Sequence, residues 1–529
     1  MTARQIDGKH ATLVEVLRAA AQQNADVEAY VEPATAGRPR RALTFAGLDR
    51  AADGLAGLLA THGVGPGTVV CLLLPSSIDY MVVYASVTRL GAVTSGINVR
   101  LGAAEVTSII ERTRPTVTVV DDGGAVPGGP TGTVLTRCEC VAATDGPPPS
   151  AWPRLSPSDP VAVVWTSGTT GLPKGAVFDH DNLRAVAEGT DILSEAGDRR
   201  LSPLPFAHVG SMTRVWDEAV NAVTTVITPT PWRSADAVPV MEAERITVAQ
   251  GVPTQWALVL AEPALATADL SSLRIAGTGA SRVPAELVAD MREALGVPVV
   301  VRYTSTEASL GTGTVPGDPD EAVATTVGRP VPGVSLAVAG DDGRELPTGE
   351  VGRVRMRSAA VMRGYWGGPL SGPGADGLVF DAAATAAVLS DDGWLTTGDF
   401  GFLDDEGRLH LVGRANELYI RGGYNVYPAE VESVLNGRPD IEQVAVVGVP
   451  DPVLGEIGVA FVVRAEGSEA DEATLLAGIR ETVRASLADY KAPDRLVVAD
   501  DLPLTSMMKV DKRVLADRAA LETNGAKQR

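Results

Sequence analysis

The chain is poor in cysteine, in aromatics and in positive charge, and each shortage closes off a class of protein. Three cysteines, Cys71, Cys138 and Cys140, occur in 529 residues, too few for a disulfide framework. The Cys138-x-Cys140 pair has no further cysteine and no nearby histidine to complete a tetrahedral metal site. Forty-five Lys and Arg against 66 Asp and Glu leave a net charge of −21, a surface that repels nucleic acid and anionic membranes. The longest apolar runs, such as VAVVW at 161–165, fall far short of the ~20 residues a membrane helix requires. The opening MTARQIDGKHATLVEVL lacks an apolar segment after a basic start, so no secretory signal is read and the cytoplasm is the expected compartment.

What is present describes a folded chain. Hydrophobic residues at 45% and charged residues at 21% fit a packed protein and not a disordered one. The length exceeds one ordinary core, so a large domain and a smaller one are expected. Apolar runs at 69–75, 117–122, 161–167, 224–230 and 297–303 alternate with helical patterns such as IDYMVVYASVTRLG and AELVADMREAL. That alternation predicts an α/β fold with parallel sheets. From about Val327 to Phe400 the text changes to short strands cut by Gly, Pro and Asp-Gly turns, which predicts an antiparallel, barrel-like section. After Gly413 it changes again to a compact α+β unit, giving domains of 1–413 and 414–529.

The segment TSGTTGLPKG (Thr166–Gly175) follows the apolar run VAVVW. Polyphosphate binding needs many N–H and O–H donors at close range, and glycine lets the backbone approach. Thr166, Ser167, Thr169 and Thr170 supply hydroxyls, Gly168, Gly171 and Gly175 supply turns, and Lys174 supplies charge. The spacing departs from the Walker pattern, since Lys174 is followed by glycine and not by Ser or Thr. Composition alone leaves a phosphate cradle and a plain surface loop both open.

Further marks follow in order: LPFAHVGS with His208, IAGTGASRVP (Ile275–Pro284), YTSTE (Tyr303–Glu307), TTGDFG with Asp399, GRANELYIRGGYNVYP with Arg414, and LPLTSMMKVDKRVL with Lys509. Together with TSGTTGLPKG they resemble the adenylate-forming superfamily of acyl-CoA synthetases, peptide-synthetase adenylation domains and luciferases, over nearly the whole chain. The resemblance is nearest to bacterial acyl-CoA ligases. It implies a mobile C-terminal lid domain and a requirement for ATP, Mg²⁺ and CoA.

Roles carried over on that resemblance are specific. Thr166, Ser167, Gly168, Thr169, Thr170, Gly171 and Lys174 hold phosphates. Gly277, Gly279, Ala280 and Ser281 form the flat turn beside adenine and acyl chain, with Arg302, Tyr303 and Thr304 near it. Tyr303 stacks on adenine, the Thr306 hydroxyl reaches the α-phosphate, and Glu307 is the magnesium ligand. Asp399 accepts from the ribose hydroxyls, with Arg414 as its cationic companion. Gly422, Gly423 and Tyr424 belong to the strand past which the pantetheine arm of CoA travels. Lys509 bridges the attacking carboxylate and the α-phosphate, where charge grows. His208 and Trp216, from the wall segment HVGSMTRVW, with Gly279 and Thr304, line the acyl pocket.

Four positions depart from the family pattern. Thr304 and Met508 stand where glycine is usual, Asn416 where the hinge carries Asp or Lys, and Leu454 where many CoA users carry an aromatic. If position 508 needs φ > 0, its side chain costs roughly 1–2 kcal/mol. No acidic anchor for an amino group is seen, so an apolar fatty or bulky alicyclic acid is expected. An adenylating-only enzyme that passes acyl-AMP to a partner ligase or carrier protein is the alternative. A luciferase-like oxygenase and a degenerate binding protein are further alternatives, the last opposed by retention of the whole residue set. A homodimer is compatible with the sequence.

Overall fold

A computed structural model of the chain describes residues 3–526 apart from 7–8, 36, 167–172, 281–282, 369–378, 469 and 506–507. Two large sheets and two smaller ones carry it. The eight-stranded sheet is parallel through Thr133–Thr136, Val117–Val120, Val69–Leu73, Val93–Gly96 and Pro160–Trp165, then antiparallel through Gly175–Asp179, Gly364–Gly368 and Val379–Phe380. The nine-stranded sheet has a parallel centre, ordered Val299–Tyr303, Ile275–Gly279, Val248–Gly251, Arg199–Ser202, Thr224–Ile227, Glu28–Glu32. Antiparallel strands close both of its edges.

Helix Ile78–Arg89 has every residue buried, as a helix packed on all sides must, and the Ser77 hydroxyl caps its start by accepting from Tyr80 N–H at 3.2 Å. Its last residue, Arg89, is a fully buried cation. Such a charge survives only when paired, and Asp49 and Asp53 from helix Phe45–Thr61 both bond it.

The section after Val327 is antiparallel. Ser335–Ala339, Gly352–Arg357, Leu395–Leu403 and Leu409–Arg414 form an open four-stranded sheet. Gly364–Gly368 leaves this group and edges the eight-stranded sheet instead, which the barrel-like reading of 327–400 did not foresee.

The C-terminal unit is built on strands Ile441–Asp451 and Gly455–Arg464, paired along ten registered positions. On Ile441–Asp451, Val444 and Val446 face one cluster with Tyr419, Leu475 and Ile479, while Ala445, Val447 and Val449 face another with Phe461 and Leu515. A strand covered on both faces needs an unbroken apolar run rather than an alternating one, and VAVVGV is such a run.

Candidate active site

Strands deliver the first pair of site residues. Asp399 and Arg414 are registered partners on adjacent antiparallel strands. The Asp399 carboxylate accepts from Arg414 Nε at 2.9 Å through Oδ1 and from the Tyr303 hydroxyl at 2.7 Å through Oδ2. Tyr303 is buried at the C-terminal end of its strand. Burial and the neighbouring Asp399 push its phenol far above the ordinary range. Burial works to lower the Arg414 guanidinium, but Asp399, Glu417 and Tyr303 together hold it above its usual value. Each carboxylate oxygen retains acceptor capacity beyond the bond it makes here.

The turn after Tyr303 carries Thr304, Thr306 and Glu307, all half-buried. The Thr304 hydroxyl donates to Ser305 O at 3.2 Å, so the extra bulk at this position is tied to its own backbone. Glu307 is fixed twice: its carbonyl accepts from Met362 N–H at 2.8 Å, and its Oε1 accepts from the Tyr365 hydroxyl at 2.6 Å. The Tyr365 ring in turn lies under the Lys174 ammonium, 5.2 Å from the ring centroid. A contact of that kind holds a cation near a face without consuming its N–H donors. Tyr365 thereby connects the glycine-rich loop to Glu307, a role that nothing in the run RGYWG signals in sequence.

The loop itself spans two antiparallel strands, Pro160–Trp165 and Gly175–Asp179. Its ends are clamped, Thr166 N–H donating to Lys174 O at 2.8 Å and Lys174 N–H to Thr166 Oγ1 at 3.2 Å. Arg112 bonds the Pro173 carbonyl beside them. Ser167, Gly168, Thr169, Thr170 and Gly171 lie outside the described residues. So does Ser281.

Gly279 has a steric reason to be glycine. A Cβ there would stand 2.1 Å from the Arg302 carbonyl on the neighbouring strand. Ala280 follows with φ of 66°, in the left-handed region, and is exposed. The backbone therefore turns sharply where the flat turn was read.

His208 caps helix Val209–Met212, its Nδ1 accepting from Gly210 N–H at 3.2 Å. That bond leaves the ring proton on Nε2. Burial, and after it the charge of Lys509, lowers the imidazole to about 4, so the ring is neutral at pH 7. Trp216 is a correction. It is 1% exposed and belongs to the main apolar core, because the helix Val215–Val220 turns that side of itself inward. It offers no surface to a ligand. Arg214, two residues earlier, faces the sheet instead and bonds Gln250 Oε1 at 2.9 Å.

Lys509 arrives from the C-terminal unit on a loop pinned by Thr505 N–H to Lys509 O at 2.6 Å. Burial first, then the nearby Arg414, lowers its ammonium to about 8, with Asp399 opposing the shift. The lysine thus feels His208, Arg414 and Asp399 at once. Met508 has φ of 61°, so the condition for strain at this position is met and its cost is roughly 1–2 kcal/mol. Its side chain helps line a cavity of about 150 Å³ between the two units, with Leu74, Phe206, Ala207 and Trp232.

Gly422 and Gly423 have φ of 58° and 90° and form the two-residue turn between Tyr419–Arg421 and Tyr424–Val426. Positive φ at both positions is that of a type I′ hairpin turn, which favours glycine at each and explains the pair without reference to a ligand. Tyr424 is exposed and stacks on Tyr490 at 4.5 Å. Asn416 is exposed in the turn after Arg414, and Leu454 packs partly buried beneath Gly422.

Comparison with known proteins agrees with this arrangement. Residues 17–366 match the AMP-binding enzyme family and residues 430–509 match the AMP-binding enzyme C-terminal domain. Indoleacetate–CoA ligase of Aromatoleum aromaticum is 34% identical over 504 residues, covering 92% of this chain and 95% of that protein. The long-chain-fatty-acid–CoA ligase FadD13 of Mycobacterium tuberculosis is 33% identical over 519 residues, covering 95% and 97%. An ATP-bound MatB from Rhodopseudomonas palustris superposes with a TM-score of 0.83 at 28% identity, covering 96% of this chain and 98% of its own. The chain belongs to the AMP-binding enzyme family, and it is an AMP-forming carboxylate–CoA ligase.

Proposed function

We propose that the chain activates an acid with an apolar body, fatty or bulky alicyclic, as its acyl-adenylate and then passes the acyl group to CoA. The observation that carries this reading is the bonded cluster of Tyr303, Asp399 and Arg414, with Lys509 within electrostatic reach of Arg414 and Asp399. A carboxylate oxygen attacks the α-phosphorus of ATP, the bond to the β-phosphate oxygen breaks, and pyrophosphate leaves with the electron pair. The Lys509 ammonium stands where negative charge accumulates as that oxygen attacks. Asp399 has acceptor capacity left for ribose hydroxyls, and Thr306 and Lys174 have donors for phosphate oxygens. In the second step a thiol attacks the acyl carbon, the thioester bond forms, and AMP departs with the former carboxylate oxygen.

Glu307 fits a magnesium ligand, since its side-chain bond to Tyr365 uses only Oε1 and a carboxylate oxygen suits a hard cation. Magnesium bound there would neutralise polyphosphate charge. His208, neutral at pH 7, serves as a wall and an Nε2–H donor rather than as a base. Asp217 beside Arg214 is already bonded by Arg200 at 2.9 Å, which supports an acid without an amino group. The cavity beside Ala207 and Met508 is walled mainly by Leu74, Phe206, Trp232 and several prolines, with Asn98, Arg100 and Gln255 also in its lining, which supports a largely apolar body.

The test is an acid panel with ATP and Mg²⁺, with and without CoA, reading AMP, acyl-AMP and thioester by mass spectrometry. Thioester from fatty or alicyclic acids is expected. Acyl-AMP accumulating with no thioester would move the acceptor to a partner ligase or a carrier protein.

A further inference from the structure

Register places Arg200, Gln250, Gly277, Gly279 and Arg302 on one face of the nine-stranded sheet. Val248 pairs with Arg200, Gln250 with Gly277, and Gly279 with Arg302, and parallel partners share a face. Arg214 joins that face through its 2.9 Å bond to Gln250. Arg200 and Arg214 thus stand on one side of the glycine strand Ile275–Gly279, while the Arg302 guanidinium lies over Gly313 on its other side.

Their acceptors run short. Asp217 Oδ2 is taken by Arg200 Nη2 at 2.9 Å and Ser194 Oγ at 2.8 Å, and its Oδ1 by Asn221 at 3.0 Å. Arg214 Nε is left 3.9 Å from it. Glu218 accepts from Tyr30 and Thr225, both at 2.9 Å. Arg302 has only Asp191, 3.8 Å from its Nη2. Consequently Nε, Nη1 and Nη2 of Arg302, and Nε and Nη1 of Arg200, are buried with no hydrogen-bond partner among the described residues. Burial, and after it Arg200 beside Arg214, lowers the Arg214 guanidinium to about 10, and Arg302 adds to the shift. Native interiors rarely tolerate so many orphaned donors in one place, and a ligand is a standard reason for them. Arg214 is the group with access: its side chain keeps 14% of its surface, and it stands six residues after His208, at the start of the next short helix.

We propose that Arg214 is a specificity-determining residue that takes an oxygen acceptor, a ketone or a second carboxylate, carried on the acid away from the carboxylate that is activated. The inference rests on the ligase reading and narrows it: the acid has an apolar body and one polar end. The guanidinium fork suits either acceptor, because both offer lone pairs in a plane.

The experiment uses the full chain with ATP and Mg²⁺ and three acids matched in chain length: a methyl-terminated acid, a keto acid with its carbonyl near the far end, and a dicarboxylic acid. Pyrophosphate release gives kcat/KM for each, in the wild type, in Arg214→Met and in Arg214→Lys. At least one acceptor-bearing acid is expected to exceed the methyl-terminated acid by at least about tenfold. Arg214→Met should erase that ratio and Arg214→Lys should keep part of it. Whether the keto acid or the dicarboxylate leads identifies the acceptor. The ratio is taken within one protein sample, so partial unfolding of a variant cancels. Preference for the methyl-terminated acid, or an unchanged ratio in Arg214→Met, overturns the proposal while leaving the ligase reading intact. No pyrophosphate from any acid removes the ligase reading and this proposal with it.

Discussion

The two halves of the site treat polar groups in opposite ways. On the nucleotide side, Tyr303, Asp399 and Arg414 satisfy one another at 2.7 and 2.9 Å, and Tyr365 fixes Glu307 at 2.6 Å. On the acyl side, five guanidinium nitrogens of Arg200 and Arg302 stay unpartnered among the described residues. A preorganised cluster stabilises charge that develops during reaction at no reorganisation cost. A cluster short of acceptors instead discriminates among ligands, because the wrong one leaves it unpaired. On the proposed assignment, a constant partner, ATP, is met by a finished site, while the variable partner completes its own.

That contrast is open to experiment, beginning with the largest effect. Lys509→Ala should lower adenylation by about 100- to 1000-fold, the scale of a lost transition-state donor. Thioester formation from supplied acyl-AMP should change little; equal losses in both half-reactions, measured separately, would remove Lys509 from its place on the nucleotide side. Next comes pH. The ammonium must be protonated to act, and its folded value is depressed to about 8. Adenylation kcat/KM, which reports the free enzyme, should therefore be full below about pH 7 and fall about tenfold per unit above 8. In Lys509→Arg that limb should vanish between pH 7 and 10, and a limb that persists would belong to another group.

A pair of conservative variants compares the halves directly by urea denaturation. Tyr303→Phe should cost about 1 kcal/mol, since it removes one partner from a satisfied carboxylate. Arg302→Met should be neutral or stabilising by about 1 kcal/mol, since apolar volume replaces donors that have no acceptor. A marked loss of stability in Arg302→Met would make the arginine structural and break the comparison. The smallest effect is at Met508. Relief of its left-handed backbone by Met508→Gly should stabilise the present arrangement by about 1 kcal/mol at most, the gain being offset in part by glycine's greater freedom when unfolded. Differential scanning of the full chain reads that shift, and a loss would mean that packing of the Met508 side chain outweighs the strain.

Much of this was legible before the structure. Two-faced burial of the C-terminal strands follows from the unbroken run VAVVGV, and the parallel sheets follow from apolar runs alternating with helices. The residues proposed for the nucleotide side were legible only through the resemblance of their motifs and order to the adenylate-forming superfamily, since Asp399, Arg414 or Lys509 taken singly reads as an ordinary surface charge. The fold of the section after Val327 was only partly so. Strand Gly364–Gly368 pairs with Gly175–Asp179, nearly two hundred residues away, and nothing local in GYWGG chooses that neighbour. Trp216 was misplaced for a related reason. A helix of six residues has too few turns for its apolar face to be read with confidence from periodicity, and packing sent the indole into the core.

The sequence by itself determined the chemistry available: a glycine- and hydroxyl-rich loop, Glu307, Asp399, Arg414 and Lys509, and the backbone freedom that Gly279 and the Gly422–Gly423 turn require. These depend on residue type and short-range geometry, which adjacent positions carry. Only the tertiary structure decided that Lys509 comes within electrostatic reach of His208 and Asp399, that Tyr365 joins Lys174 to Glu307, that Met508 sits at positive φ, and that Arg200 and Arg302 keep buried donors without a partner among the described residues. Those outcomes depend on which distant strands become neighbours and on how much water burial removes. Both are properties of the packed chain and of no segment within it.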